Sequence, residues 1–160
     1  TCASVEEALD RLRELPLASC QTLTLADKAG NIAVAECGPE GVRVERPGPA
    51  GPFVCAANLF RSDLADPLPP GLDTWRAAER YDTMRRVLEQ EGETITLSGV
   101  QALLAGRKGF LCQYDRSTGQ DTVWSVACDL TRRRCLLAEG NPGRTPFRPL
   151  AVPGEEGGRP

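Results

Sequence analysis

The sequence predicts an α+β fold made of short antiparallel strands and three amphipathic helices, and two observations carry that prediction. Segments with apolar residues at every second position are joined by short turns, the pattern of strands that meander. Those strands come first after an opening helix, two helices follow, and strands close the chain, an order that suits a layered α+β domain better than an alternating parallel sheet.

Ser4-Val5-Glu6-Glu7 opens the first helix as a capping box, a hydroxyl for an orphan N–H and a carboxylate that reaches back. Val5, Ala8, Leu9, Leu12 and Leu15 recur at helical spacing and Pro16 closes the run. From Thr22 to Glu45 the period is two. Leu23-Thr24-Leu25 alternates, Asp27 to Asn31 turns, Ile32 to Glu36 returns, and Val42 to Glu45 adds a third short strand. Phe53 to Asn58 reads as a further strand, apolar enough to be buried on both faces. Arg61 to Asp73 is a proline-bearing loop. Trp75 to Glu91 is a helix with Trp75, Ala78, Tyr81, Met84, Val87 and Leu88 on one stripe. Thr96 to Ala105 gives a shorter helix stopped at Gly106. Thr122 to Cys128 and Cys135 to Ala138 form a closing hairpin. Residues 151–160 hold little to bury, so a mobile tail is expected after one domain over residues 1–150.

Composition removes several function classes. The absence of histidine excludes imidazole acid–base catalysis, histidine metal sites and histidine-based triads. A net charge of −3 argues against nucleic acid, and no apolar run is long enough to span a membrane. The seven cysteines are odd in number and form no CxxC, so neither a zinc ribbon nor a thioredoxin-type site is signalled. Cys37, Cys55 and Cys128 lie in apolar runs and read as small buried hydrophobes, which favours reduced thiols and a cytoplasmic location over a secreted disulfide framework. Asp27 to Asn31 lacks the ligand spacing of a calcium loop and reads as a hairpin turn. Arg132-Arg133-Arg134 reads as a solvated turn, and no phosphate-cradling glycine motif, cofactor motif or metal motif is present.

Two residues carry candidate chemistry. Asn58 ends an apolar run ahead of a loop, where its amide either donates to a developing oxyanion or caps the following turn. Arg80 sits within the long helix, placed either to hold a carboxylate bidentately beneath that strand end or to pair on the surface with Glu79 or Asp82.

The runs SVEEALDRLRELP, LTLADKAGNIAVAEC and VCAANLF, followed by AAERYDTM and DTVWSVACDLTRRRCLLAEGNPGRTPF, resemble the isopenicillin N acyltransferase family in that family's order. The family stands with choloylglycine hydrolases and acid ceramidases among the N-terminal-nucleophile hydrolases. The resemblance implies part of a four-layer αββα sandwich and cleavage or transfer of acyl groups at linear, non-peptide amide bonds. It implies a cysteine nucleophile whose own α-amino group is the base, with no cofactor and no metal. Such chemistry needs no imidazole. By motif, Asn58 of CAANLF matches the family's oxyanion asparagine and Arg80 of AERYDTM its active-site arginine. Phe53, Phe60, Trp75 and Tyr81 are expected to line the substrate pocket.

In that family the nucleophile opens the first core strand, ahead of the region that SVEEAL resembles. Thr1 and Cys2 run instead into a capping box and a helix, so neither fits that role. The expectation is therefore a C-terminal portion, inactive by itself, whose partners are an acylated amine or amide substrate and either an upstream segment or a second copy. No nucleic acid or membrane partner is expected. The rival reading is a non-catalytic binding or interaction module that keeps the fold.

Overall fold

The computed structural model describes residues 1–65, 73 and 75–151. The middle of the expected proline-bearing loop and nearly all of the expected tail lie outside them. The elements are α1 (Val5–Glu14), β1 (Gln21–Ala26), β2 (Ile32–Gly38), β3 (Gly41–Glu45), α2 (Ala77–Glu91), α3 (Leu97–Leu104), β4 (Trp124–Asp129), β5 (Arg134–Glu139) and β6 (Arg148–Leu150). They fall into two compact units, Thr1–Glu93 and Thr94–Pro160. Each holds a three-stranded antiparallel sheet, in the orders β1-β2-β3 and β4-β5-β6. The α+β class with antiparallel sheets is thus the observed one.

In the first unit, Ser4 Oγ accepts from the backbone N–H of Glu7 at 3.2 Å. The Glu7 carboxylate reaches back to Ala3 N–H at 2.7 Å, one residue beyond the usual box. Val5 and Leu9 are fully buried against Ala33, Ala35 and Cys37 of β2, and Leu12, Leu23, Leu25, Val42 and Val44 pack around them. Side chains alternate along a strand, so Val34, Glu36 and Gly38 take the other face of β2, and they too are buried. The β1–β2 turn is organised by Asp27. Its carboxylate accepts from the N–H groups of Ala29 and Asn31, from the Asn31 side-chain amide and from Val5 N–H at the start of α1.

Phe53 to Asn58 is not a ladder strand. Among the described residues it carries only an isolated bridge between Ala57 and Leu59, and Cys55 alone is buried. Its apolar side chains serve packing, with Cys55 against Tyr81 of α2, rather than backbone pairing. An apolar run alone does not distinguish these two uses.

Helix α2 begins two residues later than expected, because Arg76 adopts the left-handed conformation (φ 51°). The Asp73 carboxylate caps it by accepting from Ala77 N–H at 2.6 Å and Ala78 N–H at 3.0 Å. Ala77, Tyr81, Thr83 and Val87 are buried, whereas Trp75 and Ala78 of the expected stripe are exposed. The stripe is therefore rotated, since two adjacent alanines mark the edge of an apolar face poorly.

In the second unit Thr96 caps α3 through Gly99 N–H at 3.1 Å, and Gly106 (φ 70°) follows the helix end. The hairpin pairs Asp129 with Arg134, and the Arg132 backbone and guanidinium both donate to Asp129 in an exposed turn. Strand β6, which the sequence pattern did not announce, pairs with β5 and carries a proline, as an edge strand tolerates. Ala127 and Ala138 are buried, whereas Trp124 and Cys128 alternate onto the opposite face and are exposed. The expectation of a buried Cys128 is corrected by this alternation. Cys37 and Cys55 are buried as expected, and Cys112 joins them.

Candidate functional site

The second face of β2 anchors the chain that follows Asn58. Glu36 is only 6% exposed, and its carboxylate accepts from the backbone N–H groups of Arg61 at 2.5 Å and Ser62 at 2.9 Å. Arg43 of β3 holds Asp63 bidentately, Nε to Oδ1 at 2.7 Å and Nη2 to Oδ2 at 3.1 Å. That partner keeps the Asp63 carboxyl below the usual carboxylate range. Phe60 and Cys20 both lie over Gly38, each at ordinary van der Waals distance from where a Cβ would stand.

From the other side, two consecutive residues of α2 hold the same segment. Arg80 donates Nη2–H to Asn58 Oδ1 at 2.6 Å and Nε–H to the Trp75 carbonyl at 3.1 Å. Tyr81, buried within the unit, lies beneath the Arg61 guanidinium, 4.8 Å from its ring centroid. Burial pushes the Tyr81 hydroxyl up, with the hydrogen bond from Arg85 opposing it. Burial likewise raises the Cys55 thiol. At Asp73, burial works against ionisation, but the N–H groups of Ala77 and Ala78 and the charge of Arg80 hold the carboxyl below its ordinary value. Arg80 thus takes neither of the surface partners weighed from sequence, and Glu79 pairs with Arg76.

Along the segment from Ala57 to Phe60 lies an open cleft of about 630 Å³, lined by Cys20, Gln21, Thr22, Asn58, Phe60 and Leu64 among others. Asn58 is exposed at its wall. A guanidinium has donors only, so the amide atom facing Arg80 is the oxygen, and the Nδ2 donors point away from it. This arrangement suits stabilisation of negative charge on a bound carbonyl. Of the four aromatic residues expected to line a pocket, Phe60 lines this cleft. Tyr81 is buried under Arg61, Trp75 is half exposed and gives Arg80 its carbonyl, and Phe53 is half-buried before the segment turns. Among the described residues no group of three or more Cys, Asp or Glu is placed to hold a metal ion, and no helix is long and apolar enough to cross a membrane.

The family model for acyl-coenzyme A:6-aminopenicillanic acid acyl-transferase matches residues 1–144. The chain belongs to this family. The match takes in both units and both candidate residues, Asn58 and Arg80. No curated protein matches the chain. In this acyl-transferase family member, Cys2 lines a separate recess of about 290 Å³ beside Ser4 and Asp27, not the Asn58 cleft. Three residues of the site lay outside the sequence reading. Glu36 is a carboxylate within an otherwise apolar strand, a pattern that demands a buried partner. Asp73 stands four residues before a helix, within capping reach of its first N–H groups. Cys20 gave no signal, because only the crossing of the later loop over Gly38 brings it to the cleft.

Proposed function

We propose that the chain supplies the oxyanion donor and one wall of the acyl pocket in a cysteine N-terminal-nucleophile hydrolase or acyltransferase that acts on linear amide C–N bonds. The bond from Arg80 to Asn58 at the edge of an open cleft is the observation that supports this reading most. Family membership supports the reaction class. In this reading the two antiparallel sheets belong to a four-layer αββα sandwich, and the attacking cysteine comes from chain upstream of Thr1. The protein works in the cytoplasm, to which a cysteine-rich chain with buried thiols is suited.

The chemistry follows from charge. The thiol of the nucleophile adds to the amide carbonyl while its own α-amine takes the thiol proton. The carbonyl oxygen becomes an anion, and Asn58 Nδ2–H donates to it. Arg80 holds the other end of that amide, so the donor is already oriented and no reorganisation is needed as charge develops. The C–N bond then breaks as the α-ammonium returns the proton to the leaving amine. Water or a second amine takes the acyl group from sulfur.

The test uses the full open reading frame and a panel of N-acylated amines. Asn58→Ala is expected to lower kcat by about 10²–10³, and turnover within threefold of the parent overturns the oxyanion role. Cys2→Ser, exposed and outside the cleft, serves as the control, with activity expected within threefold. Its inactivation instead points to a nucleophile at Cys2 and counts against an upstream one.

A further inference from the structure

Two thiols of the second unit face each other directly. Cys128 on β4 and Cys135 on β5 are cross-strand partners in the hairpin register, and their sulfurs lie 2.7 Å apart. Directly opposed residues of an antiparallel pair have Cα separations of about 4.5–5.5 Å, inside the range of about 4.4–6.8 Å that a disulfide accepts. Both residues remain free thiols, Cys128 exposed and Cys135 half-buried, so a small reagent reaches the pair. Neither belongs to the Asn58 cleft, and neither packs in the core of its unit as Cys112 does.

We propose that Cys128 and Cys135 form a redox-active pair that closes to a cross-strand disulfide and reopens, clasping the β4–β5 hairpin. The oxidant is a low-molecular-weight disulfide of the glutathione class. One protein thiolate attacks a sulfur of that disulfide and displaces one small thiolate, leaving a mixed disulfide. The second protein thiolate attacks the protein-side sulfur and displaces the other. Two protein thiols lose two electrons and two protons, and the small disulfide gains both. Partial desolvation of its sulfur, and then the hydrogen bond and charge of Cys135, push the otherwise exposed Cys128 thiol up to about 11. Little of it is thiolate at neutral pH, and exchange there is slow.

The experiment incubates the full chain with oxidised glutathione to equilibrium, quenches it in acid, alkylates it and maps its peptides. A peptide joining Cys128 to Cys135 is expected, lighter by about 2 Da than the dithiol and restored by dithiothreitol. In Cys135→Ser the resolving thiol is gone, and glutathione is expected to persist on Cys128. Alkylatable Cys128 and Cys135 after the incubation, a crosslink to another cysteine, or glutathione retained on Cys128 in the parent as fully as in Cys135→Ser each overturn the proposal.

Discussion

Arg80 Nη2 lies 2.6 Å from Asn58 Oδ1, across 22 residues of chain, and this one bond decides which end of the asparagine amide faces outward. A guanidinium accepts nothing, so it sorts the two ends of an amide as a hydroxyl partner would not. The following residue, Tyr81, supports Arg61 on the far side of the same loop. One turn of α2 therefore fixes both the orientation of Asn58 and the path of the chain that carries it.

Arg80 acts through Asn58, and a mutant cycle reads this directly. In the full open reading frame, Arg80→Ala is expected to lower kcat by about 10–100-fold, the worth of a hydrogen bond to a charged group. The double variant with Asn58→Ala is expected to be no slower than Asn58→Ala alone. Additive losses in kcat show that Arg80 serves some other end.

Glu36 ties the loop to the sheet, so its loss is a matter of stability. Glu36→Gln replaces one carboxylate oxygen with an amide that faces the N–H of Arg61 or Ser62. A destabilisation of about 1–3 kcal/mol is expected in urea unfolding, the cost of leaving a buried donor unpaired. An unchanged midpoint and slope refute that anchor.

The β1–β2 turn carries an acid-sensitive contribution. The Asn31 side chain first, then Val5 N–H, hold the Asp27 carboxyl at about 2, against an ordinary 3.8, with burial opposing them. The unfolded chain takes up this proton near 3.8 and the folded chain only near 2, so the stabilisation is complete above the first value and is lost as pH falls towards the second. Thermal melts of the parent and Asp27→Asn are expected to differ at neutral pH and to converge through that window. A constant gap down to pH 2 contradicts this.

Asn141 is the buried polar knot of the second unit. Its Nδ2 donates to the Cys112 carbonyl at 2.6 Å and to Asp121 at 2.7 Å, and its Oδ1 accepts from Gly143 N–H at 2.9 Å. Asn141→Ala removes all three bonds, although the Cys112 carbonyl keeps Tyr114 N–H at 3.0 Å, and a loss of about 1–3 kcal/mol is expected in chemical denaturation. A loss below about 0.5 kcal/mol, within the scatter of surface substitutions, refutes the knot.

Local signals gave the helices, the meander and the hairpin turn, because each rests on neighbours within a few residues: Ser4 with Glu7, Asp27 with Asn31, Thr96 with Gly99. Asn58 and Arg80 were visible as candidates, by position and by resemblance, but not as a pair. The residues from 53 to 58 misled because an apolar run serves a packed segment as well as a strand, and Cys128 misled because strand periodicity fixes alternation without saying which face is outward.

The sequence by itself determined that these 160 residues supply no imidazole and which stretches coil or extend, since composition and short-range periodicity need no distant partner. Only the tertiary structure decided that Cys20 shares a cleft with Asn58, that Arg80 grips an amide rather than a carboxylate, and that Cys128 meets Cys135. The physical reason is that loop paths and strand register bring together side chains far apart in the chain, and each depends on packing summed over the whole unit.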